Sequence, residues 1–201
     1  LSLLTAIIVK LIPFSFETVV FYMPAFFGSL LVIPIILIAY NINRLEVGFV
    51  AALVASIAWS YYNRTMIGYY DTDMLTIVLP TFLLWSIIWA FRTSEDKYML
   101  IAALDILLYR WWYPQSYALE LAFVGLIAAY TIYQYIKKES IVYNIKLISI
   151  MVIAMMMIDG YIRLGLVLVL FVIFKKEIVN KYLYYILLSV VVVFFATGGI
   201  E

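Results

Sequence analysis

Tyr117-Ala118-Leu119-Glu120-Leu121-Ala122-Phe123-Val124-Gly125-Leu126-Ile127-Ala128-Ala129-Tyr130-Thr131-Ile132-Tyr133-Gln134-Tyr135-Ile136 is almost wholly apolar. About 20 such residues, wound as a helix, cross a hydrocarbon core ~30 Å thick. Similar runs recur along the chain. Of its 201 residues 68% are hydrophobic and 12% charged. A soluble domain of this size is about half apolar and about a quarter charged. Backbone in lipid has no water to bond to, so it must satisfy itself within helices or a closed barrel. The alternating pattern of a barrel strand is absent. The sequence therefore predicts an all-α, polytopic membrane protein.

Charge clusters, prolines and glycines divide it into about eight transmembrane helices in one bundle. They run from Phe14 to Tyr40, Glu46 to Tyr61, Met74 to Phe91, Tyr98 to Tyr109, Tyr117 to Ile136, Ile141 to Ile158, Tyr161 to Phe174 and Ile178 to Ala196. The runs from Glu46, Tyr98 and Tyr161 are shorter than a full span, and their aromatic flanks can extend them. Pro24, Pro34 and Pro80 fall inside helices, which membranes tolerate when neighbours satisfy the freed carbonyls.

Composition excludes several chemistries. There is no cysteine, hence no disulfide framework or thiol nucleophile, and no histidine, the commonest general base and transition-metal ligand. Net charge is +1, which gives no footprint for nucleic acid. Any catalysis rests on carboxylates, tyrosines, arginine or a bound ion. Leu1 is not an initiator methionine and no basic-then-apolar signal follows it. Both ends read as cut, and we expect residues 1–201 to be one transmembrane-domain fragment of a longer protein.

Loop charges predict the orientation. One alternating set of loops carries Arg44, Arg92, Lys97, Lys137, Lys138, Lys146, Lys175, Lys176 and Lys181; the other carries Lys10, Arg64, Arg110 and Arg163. The positive-inside rule assigns the richer set to the cytoplasm. The loop from Tyr62 to Asp73 and the turn Trp111-Trp112-Tyr113-Pro114-Gln115-Ser116-Tyr117 then share the outer side.

That outer loop, with its flanks, is Tyr61-Tyr62-Asn63-Arg64-Thr65-Met66-Ile67-Gly68-Tyr69-Tyr70-Asp71-Thr72-Asp73-Met74. Asp71 and Asp73 form an Asp-x-Asp pair. Two carboxylates so spaced can converge on one hard divalent cation such as Mg²⁺ or Mn²⁺. Arg64 can pair with them or grip a phosphate with its planar fork. Asn63, Tyr69 and Tyr70 add polar contacts. On spacing alone a plainer reading stands beside this one and is the commoner of the two: acids that hydrate a loop and start the helix at Met74.

The aromatic turn also has two readings. Trp and Tyr gather at headgroup level in any membrane protein, so an interfacial anchor suffices. Alternatively Trp111, Trp112, Tyr113 and Tyr117 form a platform for a sugar or polyprenyl phosphate, with Arg110 as a nearby cation. Asp105 and Glu120 lie within helices, where acids are functional candidates or bundle pairs. Asp159 and Arg163 can make a plain surface ion pair, and Met155-Met156-Met157 suits helix packing.

Together these motifs resemble one family. Ser60 to Met74 resembles the second Asp-x-Asp region of the catalytic subunit of N-oligosaccharyltransferases, most closely its bacterial single-subunit, PglB-type branch. Leu11-Ile12-Pro13-Phe14-Ser15-Phe16-Glu17 and Val32-Ile33-Pro34-Ile35-Ile36-Leu37-Ile38-Ala39 look like that family's second transmembrane region. Trp111 to Tyr117 looks like its Trp-Trp-Tyr-Pro-x-Ser-Tyr turn. The resemblance runs over the whole chain and is weakest in the last third.

It implies a membrane glycosyltransferase of the GT-C type. Such an enzyme moves an oligosaccharide from a polyprenyl pyrophosphate to asparagine in Asn-x-Ser/Thr sequons of an acceptor polypeptide. By the match, Asp71 and Asp73 would help hold Mn²⁺ or Mg²⁺, Arg64 would organise the acidic site, and the aromatic turn would lie near the lipid-linked donor. The setting implied is a bacterial inner membrane, with these loops in the periplasm. The family also carries a first acidic loop, a further acid in a later outer loop, and a soluble domain with a Trp-Trp-Asp-Tyr-Gly motif. Residues 1–201 contain none of these, so we expect this chain alone to lack transferase activity. Gln115 stands where the family has a small residue. Two other readings remain: another GT-C enzyme, such as a protein O-mannosyltransferase, or a transporter or lipid-carrier-binding subunit using Asp105 and Glu120.

Overall fold

The structure, a computed structural model, describes residues 1–176 together with Leu187, Ser189, Val190 and Val193. No strand occurs among the described residues. The chain forms two compact units, Leu1–Trp85 and Ser86–Glu201.

The first unit holds α1 (Ser2–Leu11), α2 (Phe16–Ser29), α3 (Val32–Asn41), α4 (Leu45–Ile57), α5 (Trp59–Thr65), α6 (Asp73–Thr76) and the start of α7 (Val78–Thr93). Ser15 caps α2, its Oγ accepting the Thr18 N–H at 3.2 Å, and Glu17 adds an acid to the first turn. The Phe14–Tyr40 helix of the sequence is two helices with a break at Leu30 and Leu31, which keep one span of 26 residues, Phe16–Asn41. Pro34 causes no kink, because it sits in the first turn of α3, where a missing N–H loses no bond. Pro80 does the same in α7 after the break at Ile77. Only Pro24 lies in a helix interior. α3 and α4 cross closely: a Cβ on Gly48 would fall 2.2 Å from that of Ala39. Small residues let membrane helices approach in this way.

The Glu46–Tyr61 helix is likewise two, α4 and α5, bent by 64°. α1 was not expected, since a 10-residue apolar helix is too short to span. It packs on α2 instead and buries Thr5.

The second unit holds the rest of α7, then α8 (Asp96–Trp112), a 3-10 turn (Pro114–Ser116), α9 (Tyr117–Ile136), α10 (Val142–Met155) and α11 (Gly160–Lys175). α10 is its buried axis, packed by α8, α9 and α11, with Leu147, Ile150, Met151, Val152 and Met155 out of solvent. Met99, Ala102, Ala103 and Ile106 of α8 complete that core. Of the methionine run, Met155 is buried, Met156 half-buried and Met157 exposed, so packing accounts for its first member. At the other end Asn144 Nδ2 donates to Gln134 Oε1 at 2.6 Å, and Tyr143 Oη to the Glu95 carbonyl at 2.9 Å.

Phe16–Asn41, Asp73–Thr93 and Pro114–Ile136 are long and apolar enough to cross a membrane, and the bent pair α4–α5 makes a fourth. The expected eight spans are not reached among the described residues. α8, α10 and α11 have 17, 14 and 16 residues. At about 1.5 Å per residue they cover only about 21 to 26 Å. The eighth, Ile178 to Ala196, lies outside the described residues apart from Leu187, Ser189, Val190 and Val193.

Candidate functional site

The acidic loop belongs to the first unit. Arg64 lies in the last turn of α5 and Asp73 opens α6, and Arg64 Nη1 donates to Asp73 Oδ2 at 2.8 Å. This contact closes the loop. Asp71 is exposed, and its Oδ1 accepts the Thr72 N–H at 2.6 Å and the Thr72 hydroxyl at 3.2 Å. The plainer reading of these acids holds in part, since Asp71 is exposed on the loop and Asp73 is the acid in the first turn of α6. The capping residue of α6 is Thr72, which makes no side-chain cap bond, and Asp73 Oδ2 faces Arg64.

The loop is anchored on α1 and α2. The Gly68 N–H donates to the Phe21 carbonyl at 2.8 Å. Gly68 has φ +87°, a left-handed conformation that side-chain-bearing residues adopt at a cost. The Tyr70 hydroxyl bonds the Thr5 hydroxyl of α1, and Tyr61 Oη donates to the Gly28 carbonyl at 2.7 Å. Gly28 leaves room for nothing larger, as a Cβ there would fall 2.6 Å from Thr65 Cβ. Tyr70 is therefore an anchor, Tyr69 is exposed, and Asn63 is half-buried on α5. A groove of about 430 Å³ borders the ion pair, walled by Leu31, Ala55, Tyr61 and Ile77, with Arg64 and Asp73 lending it charge.

The aromatic turn belongs to the second unit. α8 ends at Trp112, Tyr113 is extended, and Pro114 starts the 3-10 turn that leads into α9. Trp111 is 49% exposed, whereas Trp112 is 3% exposed and turned inward. Tyr113 stacks on Tyr109, with ring centroids 6.4 Å apart, and its Oη donates to Gln115 Oε1 at 3.0 Å. Arg110 lies over the Tyr117 ring, 4.8 Å from its centroid. The four expected platform residues thus part company: Trp111 faces outward, Trp112 packs, and Tyr113 and Tyr117 are half-buried.

The sequence named no partner for Glu120, and the structure does. Arg110 Nε donates to Glu120 Oε2 at 2.9 Å, and Ser116 Oγ to Glu120 Oε1 at 2.5 Å. Ser116 and Glu120 stand four apart, the helical spacing at which side chains meet, so half of this contact was legible. Asp105 is buried, with Oδ2 unpartnered. Asp159 and Arg163 do not form the expected surface pair. Asp159 Oδ1 caps α11 by accepting the Tyr161 N–H at 2.9 Å, and Arg163 Nη1 donates to the Ala154 carbonyl at 3.3 Å.

Long apolar helices joined by polar, aromatic-rich loops define a multi-pass membrane protein of the helical-bundle class. Within that class, a family model described as oligosaccharyl transferase STT3, N-terminal, matches residues 1–200, and the chain belongs to that family. It is similar to the undecaprenyl-diphosphooligosaccharide–protein glycotransferase of Campylobacter jejuni serotype O:2, 46% identical over 178 residues, which cover 88% of this chain and 24% of that relative. The counterpart from Campylobacter jejuni strain RM1221 gives the same figures. The dolichyl-phosphooligosaccharide-protein glycotransferase of Methanococcus voltae is 34% identical over 122 residues, 55% of this chain and 13% of that relative. The chain thus spans about a quarter of the length of the Campylobacter relatives.

One carboxylate oxygen of Asp71 is taken by Thr72 and one of Asp73 by Arg64, which leaves the second oxygen of each as a candidate donor to a hard divalent cation. Asp71 and Asp73 offer carboxylate oxygens, the donors that Mg²⁺ and Mn²⁺ prefer. No group of three His, Cys, Asp or Glu able to hold a metal occurs among the described residues. Mg²⁺ in particular keeps several waters and binds through one or two carboxylates plus substrate phosphates, so two acids are in keeping with it.

Proposed function

We propose that this chain is the membrane part of an oligosaccharyltransferase. The protein would move a glycan from a polyprenyl-pyrophosphate carrier to the amide nitrogen of asparagine in Asn-x-Ser/Thr sequons. The sugar–oxygen bond to pyrophosphate breaks, a carbon–nitrogen bond forms, and the amide loses a proton. The outer loops would face the periplasm of a bacterial inner membrane, which the loop charges support.

The observation that carries the reading is the match of residues 1–200 to the oligosaccharyl transferase family, and the Arg64–Asp73 contact closing a loop that also holds Asp71 supports the choice of site. Asp71 and Asp73 would hold Mn²⁺ or Mg²⁺, which when bound neutralises a pyrophosphate leaving group. Arg64, paired with Asp73, would balance part of the acidic charge of the loop. Asn63 and Tyr69 supply polar contacts beside the acids, and Tyr70 holds the loop to α1. Trp111, the exposed aromatic of the turn, would meet the lipid-linked donor, with Trp112, Tyr113 and Tyr117 supporting the turn.

The test is Asp71→Ala and Asp73→Ala in the full-length parent. Loss of sequon glycosylation with normal membrane insertion is expected for both. Unchanged glycosylation would overturn the assigned site.

A further inference from the structure

We infer that Arg110, Ser116 and Glu120 form a buried positioning node that fixes the shape of the aromatic turn, so that donor recognition depends on side chains that never touch the donor. The inference rests on the proposed reading that the turn meets the lipid-linked donor.

One carboxylate does the tying. Glu120, in the first turn of α9, takes Arg110 from the last turn of α8 on one oxygen and Ser116 from the 3-10 turn on the other. The outgoing helix, the turn and the incoming helix therefore converge on a single side chain. The same guanidinium lies over Tyr117, which removes that ring's freedom to swing. The Arg110 and Glu120 side chains are 7% and 0% exposed. Trp111 and Gln115, which are exposed, are chain neighbours of node members.

A buried ion pair is a poor device for stability alone. Hydrophobic residues of similar volume often do as well or better, and in some proteins a buried polar pair instead specifies one geometry. Here the pair bridges the ends of the segment that carries the proposed donor contacts. Arg110 Nη2 remains buried and unpartnered, as expected if the guanidinium is placed for Glu120 and Tyr117 rather than for full hydrogen bonding.

The experiment uses the full-length parent with a lipid-linked oligosaccharide donor and a sequon peptide. Glu120→Gln should raise the donor KM about tenfold while kcat stays within about threefold, the signature of lost ground-state binding. Should Glu120→Gln fail to fold, the double variant Arg110→Met with Glu120→Leu decides. It removes both charges, so folding is expected to survive, and the donor KM should remain raised. A parental donor KM in the double variant would overturn the inference by reducing the node to a packing element. Trp111→Ala tests the underlying reading separately, and a parental donor KM there would overturn that reading. A nitroxide on Gln115→Cys, in a cysteine-free background, judges the node without any donor. Its spectrum should sharpen when Glu120 is replaced, and an unchanged spectrum in the double variant sinks the inference.

Discussion

The acidic loop and the aromatic turn are each closed by an arginine–carboxylate contact, at 2.8 Å and 2.9 Å, yet the two contacts do opposite work. Arg64 and Asp73 are 62% and 22% exposed, and Arg110 and Glu120 are 7% and 0% exposed. An exposed pair contributes about 0.2–1 kcal/mol. Removing one partner of a buried pair costs about 3–5 kcal/mol, because the other charge is stranded. The first contact can therefore break at little cost, while the loop's position is held by uncharged anchors on α1 and α2. The turn cannot loosen without exposing its node. Distance alone does not separate an adjustable contact from a rigid one, whereas burial does.

The largest effect expected is Glu120→Ala, which should destabilise the parent by about 3–5 kcal/mol in detergent-solubilised unfolding. A loss below about 1 kcal/mol would erase the contrast between the two regions. Next comes Gly28→Ala, which forces a methyl against Thr65 and should cost about 1–3 kcal/mol by overpacking. Proteolysis within residues 66–72 should quicken in that variant, since the wall behind α5 has moved. Gly68→Ala should cost about 1–2 kcal/mol, because the left-handed backbone there is penalised by a side chain and Phe21 stands 3.4 Å from the new Cβ. The smallest stability change belongs to Arg64→Ala, whose thermal unfolding should stay close to the parent's, as for an exposed ion pair. On the proposed reading, Arg64→Ala in the full-length parent should also lower sequon glycosylation, and parental kinetics would remove Arg64 from the site.

Much of this could be read from the residues. Apolar run lengths gave the helical membrane class, and a polar stretch in an apolar chain singled out residues 61–74 and 111–117. The breaks at Leu30–Leu31 and Ile77 stayed hidden, although Pro34 and Pro80 mark them. A proline fits the start of a helix as readily as a tolerated interior, and hydropathy is blind to the choice. Thr5 was invisible for another reason. Its partner Tyr70 is 65 residues away, and nothing local in a 10-residue apolar helix announces a tertiary hydrogen bond. The inward turn of Trp112 beside the outward Trp111 was equally illegible, because two adjacent tryptophans of the same composition differ only in the face of α8 they occupy.

The 64° bend between α4 and α5 has a consequence for depth. If α4 runs near the membrane normal, α5 must lie steeply aslant and gain little height over its seven residues. Its exposed Trp59 and Tyr62, residue types that settle at headgroup level, suit such a tilted ledge. Arg64 lies in the last turn of α5, beyond the bend. The bend thus turns the end of an apolar stretch sideways and delivers a full positive charge to Asp73.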